Sequence, residues 1–419
     1  MSGTVPRLSG RPGAMVPFCR DPGEPRWRRV ALLLQGDDNY GVGRICREIA
    51  TLLPGIRCVA MNQGVECELL GDLGVPVHVL PSGSYFRGFS PNRGLLGAVR
   101  QIARARPRWR QCAIELHGWA RSHGVQILHG NVFAHYFTLV ALRQSYPGAY
   151  RTIWHVHNYL NVERHLGLSA RFVWRQARRG ADRIACVSHA MSVGWAGSLV
   201  PVRVIHNGSP PRQVVAAAGS GRAPGRPLRL VACGRMEWSK GLHVAVEAAA
   251  LARDAGVALT LDLCGGPLDA NPYFDSIRRR IRELRLGSVV RALGYVDDLA
   301  ARLHGYDLAL QCRIDPEPCS VYVIECMHAG VALVASANGG TPELLRGGQD
   351  GWLYPPADAT SLADGIIALA RDVHARERLA SSARARARVM FTPERFAERW
   401  AALYGELARL RSAGAEVER

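Results

Sequence analysis

The sequence predicts an α/β protein made of two consecutive doubly wound domains. Short apolar segments alternate with helical segments, and the alternation stops at a stretch rich in Pro, Gly and Ala before it begins again. Apolar strands separated by helices are typical of βαβ units, whose parallel sheet is covered on both faces. Ligands of such sheets bind beyond the carboxyl ends of the strands. We therefore expect a site in a cleft where the two domains face each other.

The N-terminal domain is predicted to span residues 30–208. Its strand-like segments are 30–35, 56–62, 75–81, 125–131, 151–158, 183–188 and 202–208. Helical segments between them are 43–53, 94–122, 132–146, 163–180 and 189–199. Residues 1–29 are rich in Pro, Gly and Arg without periodicity, which predicts a disordered basic extension.

A patternless stretch at 209–227 predicts a linker to a C-terminal domain at 228–392. Its strand-like segments are 228–234, 257–265, 289–296, 307–314 and 331–337, and its helical segments include 240–255, 272–286 and 319–329. The remaining segment, 393–419, contains an amphipathic helix at about 393–412, which we expect to pack back toward the N-terminal domain.

Composition excludes several classes of protein. Of the 419 residues, 48% are hydrophobic and 21% are charged, which is typical of a folded chain and not of a disordered or fibrous one. No apolar run is long enough for a membrane span, and the first residues lack the apolar core of a secretory signal. We expect a cytoplasmic protein. The 11 cysteines are scattered without ligand spacing, so neither a metal site nor a disulfide framework is predicted.

The net charge of +18 is concentrated in the first half of the chain. Nucleic acid, an anionic membrane surface or an anionic ligand could each account for it. The basic and aromatic residues do not interleave as in a known RNA-binding module, so no nucleic-acid partner is expected. Residues 95–110 carry five arginines among apolar residues, typical either of a solvated helix face or of a helix that contacts anionic lipid peripherally. Pro107 is expected to break this helix.

Two cations follow the first strand of the C-terminal domain. Gly234 and Arg235 come directly after the strand, and Lys240 stands five residues further on, at the predicted start of a helix. Two cations beside the amide groups of a helix start suit a diphosphate, although solvated surface cations have the same pattern. Lys240 is the only lysine in a chain with 53 basic residues, which favours a role for its compact charge.

Two glutamates and a glycine pair form a second constellation. Glu317 ends a strand, and Glu325 lies two helical turns into the apolar segment that follows. The N–H groups of the intervening turn, at Ser320 and Val321, could point at a phosphate. Gly339, after the next strand, permits close approach of the backbone to a ligand. A surface glutamate and a glutamate on the polar side of a helix remain the alternative.

The N-terminal domain contributes weaker signals. His155 and His157 end one strand on the same face, toward the predicted cleft. Gly41 and Gly43 lie between the first strand and helix, as a tight turn requires, without a dinucleotide-binding fingerprint. Asp37 and Asp38 are either turn and cap residues or the receptors of a cationic or polyhydroxylated acceptor.

The order of these motifs resembles the retaining glycosyltransferases of family 4, which have the GT-B fold. The resemblance rests on four motifs. Two of them are marked by charged residues: the first includes Gly234, Arg235 and Lys240, and the second pairs Glu317 with Glu325. The other two are the segments G-G-x-P-E at 339–343 and V-I-H-N-G at 204–208. It covers about residues 30–412. One departure is the Cys-Ser pair at 319–320, where the family usually has Phe-Gly next to the sugar.

The resemblance implies transfer of a hexosyl or N-acetylhexosaminyl group from a nucleotide diphosphate sugar, expected to be UDP-linked, to an acceptor hydroxyl, with retention. Arg235, Lys240, Glu317 and His157 would be catalytic. Donor-binding residues would be Gly234, Glu325, Ser320, Val321, Gly41, Gly43 and Gly339, and acceptor-binding ones Asp37, Asp38 and His155. No cofactor or metal is expected.

The acceptor remains open at this point. An aminocyclitol-type acceptor of natural-product biosynthesis is one hypothesis, and a lipid-linked or cell-envelope glycan is another. Two further classes compete with a transferase: a non-catalytic cationic binding protein, and a phosphorylase or epimerase on a similar scaffold.

Overall fold

The computed structural model describes residues 26–36, 41–83, 95–160, 168–209 and 226–417. These residues form two α/β domains, each built on a sheet whose strands all pair in parallel. Most of the predicted extension and linker lies outside the described residues.

The N-terminal domain has a seven-stranded sheet in the order β3-β2-β1-β4-β5-β6-β7. The strands are β1 Val30–Leu34, β2 Arg57–Ala60, β3 Val77–Val79, β4 Ile127–Gly130, β5 Arg151–Val156, β6 Arg183–Cys186 and β7 Val202–Val204. The helices are α1 Gly41–Leu52, α2 Val65–Asp72, α3 Leu95–Ser122, α4 Phe133–Ser145, α5 Leu168–Gly180 and α6 His189–Ser192.

The C-terminal domain has a six-stranded sheet in the order β10-β9-β8-β11-β12-β13. Its strands are β8 Leu228–Cys233, β9 Leu259–Cys264, β10 Val290–Gly294, β11 Leu308–Gln311, β12 Ala332–Ser336 and β13 Trp352–Tyr354. Its helices are α7 Leu242–Asp254, α8 Pro272–Glu283, α9 Leu299–Arg302, α10 Val321–Ala329, α11 Thr341–Leu344, α12 Ala359–Arg371 and α13 Val373–Met390, followed by α14 Pro393–Val417.

In both sheets the strand order reverses at one place. The reversal lies between β1 and β4 in the first sheet and between β8 and β11 in the second. At such a point the connections leave toward opposite faces and open a crevice at the carboxyl ends of the strands. The two predicted domains and their cleft are thus positioned by the order of the strands.

Side-chain alternation explains why both faces of each sheet are covered. All five residues of β1 are buried. Ala31 and Leu33 belong to one apolar cluster, whereas Val30, Leu32 and Leu34 belong to another on the opposite face. The first of these clusters also contains Val231 and Cys264 of the C-terminal domain. Apolar packing is therefore continuous from one domain into the other.

The last helix, α14, lies against the N-terminal domain, although it follows the C-terminal one in the chain. Its aromatic residues Phe396, Trp400 and Tyr404 are buried in the cluster that also holds Val30, Leu32 and Leu34 of β1. The Trp400 ring stacks on His129 with 4.5 Å between ring centroids. At the surface, Glu406 pairs with Arg183 at 2.5 Å. This helix ties the two domains together.

Three expectations need correction. Residues 26–29, placed in the disordered extension, form a 3-10 helix, and the Trp27 ring lies 6.0 Å from that of Tyr404. Pro107 does not break α3, because buried Trp109, Cys112 and Leu116 extend the apolar face past it. The segment 189–199 is split into α6 and a 3-10 helix at 193–198.

The basic segment of α3 is turned toward solvent. Its arginines at 100, 104, 106, 108 and 110 are all exposed. Among the helices in the described part of the chain, none is long and apolar enough to cross a membrane.

Candidate functional site

The predicted diphosphate site lies at the carboxyl end of β8. Lys240 packs against Gly234, where an added Cβ would stand 3.1 Å from the lysine Cβ. Burial lowers the pKa of Lys240, while Glu317 opposes that shift. Arg235 is more exposed and pairs with Glu237 at 3.0 Å. Two cations of different accessibility therefore face the cleft from one loop.

The second constellation lies beside this loop, because β11 pairs with β8. The Tyr322 hydroxyl donates to the Val231 carbonyl at 3.0 Å, which fixes α10 over β8. Cys233, the last residue of β8, is close enough to Glu325, Lys240 and Arg44 for their charges to act on its thiol, although burial is the main cause that raises the pKa of that thiol to about 12. Glu325, Lys240 and Arg44 thus lie around the carboxyl end of β8.

Glu317 is buried and held by its neighbours. Its Oε2 lies 3.6 Å from Nη1 of Arg313. Its backbone N–H donates to the side-chain oxygen of Asn338 at 3.4 Å, and its carbonyl accepts from the Gly340 N–H at 2.6 Å. At Gly339, with φ of +52°, an added Cβ would stand 2.4 Å from that carbonyl oxygen. Glycine is needed there so that the loop can close over Glu317.

The start of α10 reaches into the N-terminal domain. Ser320 caps the helix, since its hydroxyl accepts from the Val323 N–H at 3.3 Å. Val321 packs against the cluster that holds β1 and α14. Asn207 donates to the Cys319 carbonyl at 2.9 Å from the other domain. The predicted phosphate-facing turn is therefore shaped by both domains.

Glu325 meets a cation that sequence reasoning missed. Nη2 of Arg44, on α1, lies 2.5 Å from Oε1 of Glu325. The arginine directly follows Gly43 in the chain, and that adjacency was the available signal. Gly41 and Gly43, expected in a loop, lie in the first turn of α1, because the apolar face formed by Val42, Ile45 and Cys46 begins there.

A buried group of histidines lies at the carboxyl ends of β4 and β5. Asn131 donates to the Leu33 carbonyl at 2.9 Å, so its Oδ1 faces the histidines. That oxygen is 3.1 Å from Nδ1 of His155 and 3.4 Å from Nε2 of His157. Because Oδ1 can only accept, both ring nitrogens must donate. Asn131 thereby fixes the tautomer of His157, with Nδ1 left as its acceptor.

The side chain of His155, a predicted acceptor-binding residue, is covered in this structure. Its side chain is fully buried, with 0% exposure, and its ring lies 4.6 Å from Trp400. The docking of α14 covers it, which sequence reasoning could not foresee. His157, two residues further along the chain, directly follows β5 and is half-buried at the cleft.

A second tie between the domains involves Glu343. It accepts from the backbone N–H groups of His189 at 2.8 Å and Ala190 at 2.7 Å, and it lies 2.8 Å from Nε2 of His206. Burial alone would raise the pKa of Glu343, but these donors lower it below the ordinary value. A carboxylate of the G-G-x-P-E motif therefore holds the first turn of α6.

Asp37 and Asp38 lie outside the described residues. Within the described ranges, no group of three or more His, Cys, Asp and Glu side chains could hold a metal ion. The ten described cysteines are free thiols.

Comparison with known proteins shows similarity in the fold and in part of the sequence. Residues 218–386 match the family model described as Glycosyl transferases group 1. The crystal structure of Anabaena Alr3699/HepE in complex with UDP superposes with a TM-score of 0.72 at 22% identity, over 90% of this chain and 100% of that one. The chain has the GT-B fold, as predicted, and about two fifths of it matches the glycosyl transferases group 1 model.

Relatives of known name share parts of the sequence. The putative colanic acid biosynthesis glycosyltransferase WcaL of Salmonella typhimurium is 31% identical over 197 residues, which is 43% of this chain and 46% of WcaL. A glycogen synthase of Mycobacterium tuberculosis is 28% identical over 291 residues, 66% of this chain and 64% of that protein. The chain thus spans about half the length of WcaL.

The buried histidines predict acid sensitivity of the fold. Burial lowers the pKa of His135, whose side chain is fully buried, to about 3, against about 6.5 in an unfolded chain. Below pH 6.5 the histidine is protonated in the unfolded chain but stays neutral in the folded chain. The free energy of unfolding therefore falls as the pH drops. Between pH 7.5 and 5.5, His135 should lower the free energy of unfolding by about 1.4 kcal/mol.

Urea unfolding at the two pH values measures this loss. His135→Gln should reduce the difference between the two pH values, whereas the exposed His374→Gln should leave it as in the parent. An unchanged difference in His135→Gln would contradict the assignment of a neutral buried imidazole.

Proposed function

We propose that this protein is a retaining glycosyltransferase that transfers a hexosyl group from a UDP-sugar to an acceptor hydroxyl. The observation that carries the proposal is that four charged side chains lie together at the carboxyl ends of β8 and β11: Arg235, Lys240, Glu317 and Glu325. All four belong to the region that matches the group 1 glycosyl transferases. The UDP and UDP-glucose complexes of HepE support a uridine nucleotide, although that likeness concerns the fold. Retention is inferred from the family resemblance.

The leaving group dictates the roles of the cations. When the bond from sugar to phosphate breaks, negative charge grows on the diphosphate, and fixed positive charge stabilises it more than it stabilises the ground state. Lys240, partly removed from water, supplies a point charge, and Arg235 supplies a planar fork at the open side. The start of α10 adds N–H groups to the same place.

The carboxylates and His157 have positioning tasks in this proposal. Glu325 accepts hydrogen bonds from the ribose hydroxyls. Glu317, held between Arg313 and the Gly339 turn, orients the sugar hydroxyls. His157 presents an acceptor nitrogen to the sugar because Asn131 fixes its tautomer. The acceptor attacks from the side of the leaving group, and the diphosphate oxygen takes the acceptor proton, so no separate base is required.

Removal of either cation tests the proposal. Lys240→Ala and Arg235→Ala should each lower kcat by at least ~100-fold, because each removes charge that matters most in the transition state. The readout is UDP release from a UDP-sugar, with thermal melting to show that the variants fold. Arg282→Met, an exposed arginine of α8, serves as the control that should keep the parent rate. Parent-like turnover in Lys240→Ala would rule out the assigned diphosphate site.

Two acceptor classes remain in the proposal. Asp37 and Asp38 are the basis for a cationic, aminocyclitol-type acceptor. The exposed arginines of α3 favour an acceptor at an anionic membrane, such as a lipid-linked glycan, and the names of WcaL and of the amylovoran biosynthesis glycosyltransferase AmsK agree with a glycan. We propose the glycan acceptor as the first to examine.

A panel of acceptors separates the two classes. Aminocyclitols, neutral oligosaccharides and lipid-linked sugars in anionic vesicles are offered with one UDP-sugar to the parent and to Asp37→Asn/Asp38→Asn. Use of a lipid-linked or neutral acceptor by both proteins supports the glycan. Use of aminocyclitols by the parent, with at least ~10-fold loss in the double variant, would instead support the carboxylate pair, because each removed charge loses a charge-assisted hydrogen bond.

A further inference from the structure

The ion pair between Arg44 and Glu325 crosses the cleft. Arg44 lies on α1 of the N-terminal domain, and Glu325 lies on α10 of the C-terminal domain. Their charged atoms are 2.5 Å apart, with side-chain exposures of 26% and 10%. Arg44 also lies within 3.4 Å of the hydroxyl of Ser209, the first residue of the linker. Because Arg44 stands on α1, its guanidinium reaches from the N-terminal domain to a carboxylate of the C-terminal domain.

Burial makes this contact consequential for Glu325. Its Oε1 is a buried atom, and its neighbours Ile324 and Cys326 are fully buried apolar residues. A carboxylate removed from water needs a charged or hydrogen-bonding partner, and loss of that partner is costly, unlike the loss of a pair at the open surface. The position of the Glu325 carboxylate thus depends on a residue of the opposite domain.

We propose that Arg44 is a positioning residue for the nucleotide. It holds Oε1 of Glu325 so that the second oxygen, Oε2, points to the ribose hydroxyls. Recognition of ribose then requires both domains, although the contacts to the nucleotide come from one. This inference rests on the proposed function, because it takes Glu325 as the ribose-binding carboxylate.

Selectivity for ribose over deoxyribose measures this role directly. We compare the affinities of UDP and 2′-deoxy-UDP by calorimetry for the parent, Arg44→Met, Arg44→Lys and the control Arg282→Met. A hydrogen bond to a well-placed carboxylate should give the parent at least ~10-fold preference for UDP. Arg44→Met should reduce that preference to below ~3-fold, while the affinity for 2′-deoxy-UDP changes little. Arg44→Lys, which keeps the charge without the planar fork, should lie between, and the control should match the parent.

A double variant separates positioning from general loss of structure. Once Glu325→Gln has removed the carboxylate, the addition of Arg44→Met should cause no further loss of selectivity. Thermal melting identifies variants that fail to fold. If Arg44→Met fails to fold, Arg44→Gln, which keeps a polar side chain, replaces it.

The outcomes distinguish failure of the role of Arg44 from failure of the proposed function. Equal weakening of both nucleotides in Arg44→Met, or full retention of the preference, overturns the role of Arg44 and leaves the proposed function standing. If the parent binds UDP without preference for ribose, Glu325 is misassigned and the role of Arg44 is overturned with it. If the parent binds neither nucleotide, the uridine donor of the proposed function is wrong, and this inference fails with it.

Discussion

The docking of α14 on the N-terminal domain is the constraint on which the site depends. The chain leaves the C-terminal domain after α13, and Trp400 and Tyr404 are then buried against β1, β4 and β5. Removing large aromatic rings from water supplies a driving force of the order of a few kcal/mol for each ring. Because α14 begins in one domain and packs on the other, it brings the carboxyl ends of the two sheets to the same cleft.

Polar ties across that cleft act on a scaffold already held by apolar packing. Glu343 holds α6, Asn207 holds the Cys319 carbonyl, and Arg44 meets Glu325. Each of these contacts involves a residue that belongs to one of the predicted ligand-binding motifs or stands directly next to one in the chain. The groups that could bind a nucleotide are therefore positioned by contacts between the domains.

The sequence was sufficient to predict the architecture because that architecture is encoded locally. Buried strands such as β1 are continuous apolar runs, and the glycine at 234 and the cations after β8 follow in fixed order along the chain. The family resemblance assigned Lys240 and Glu325 to one donor site, whereas the pairing of β11 with β8, which brings their segments side by side, was not predicted.

Contacts between distant segments could not be predicted in this way. His155 has the local pattern of a cleft residue, and only the arrival of Trp400, more than two hundred residues later, buries it. Arg44 and Asn131 were overlooked for the same reason, since nothing near them in the chain indicates a partner on another element. Pro107 misled because local propensity disfavours a helix there, whereas burial of Trp109 and Leu116 maintains it.

A crystal structure of the protein with UDP bound tests the central claim most directly. The account predicts the diphosphate between Arg235, Lys240 and the start of α10, with the ribose hydroxyls on Oε2 of Glu325 and Arg44 still on Oε1. A nucleotide bound away from this edge of the C-terminal sheet, or one that contacts neither Lys240 nor Glu325, would contradict it.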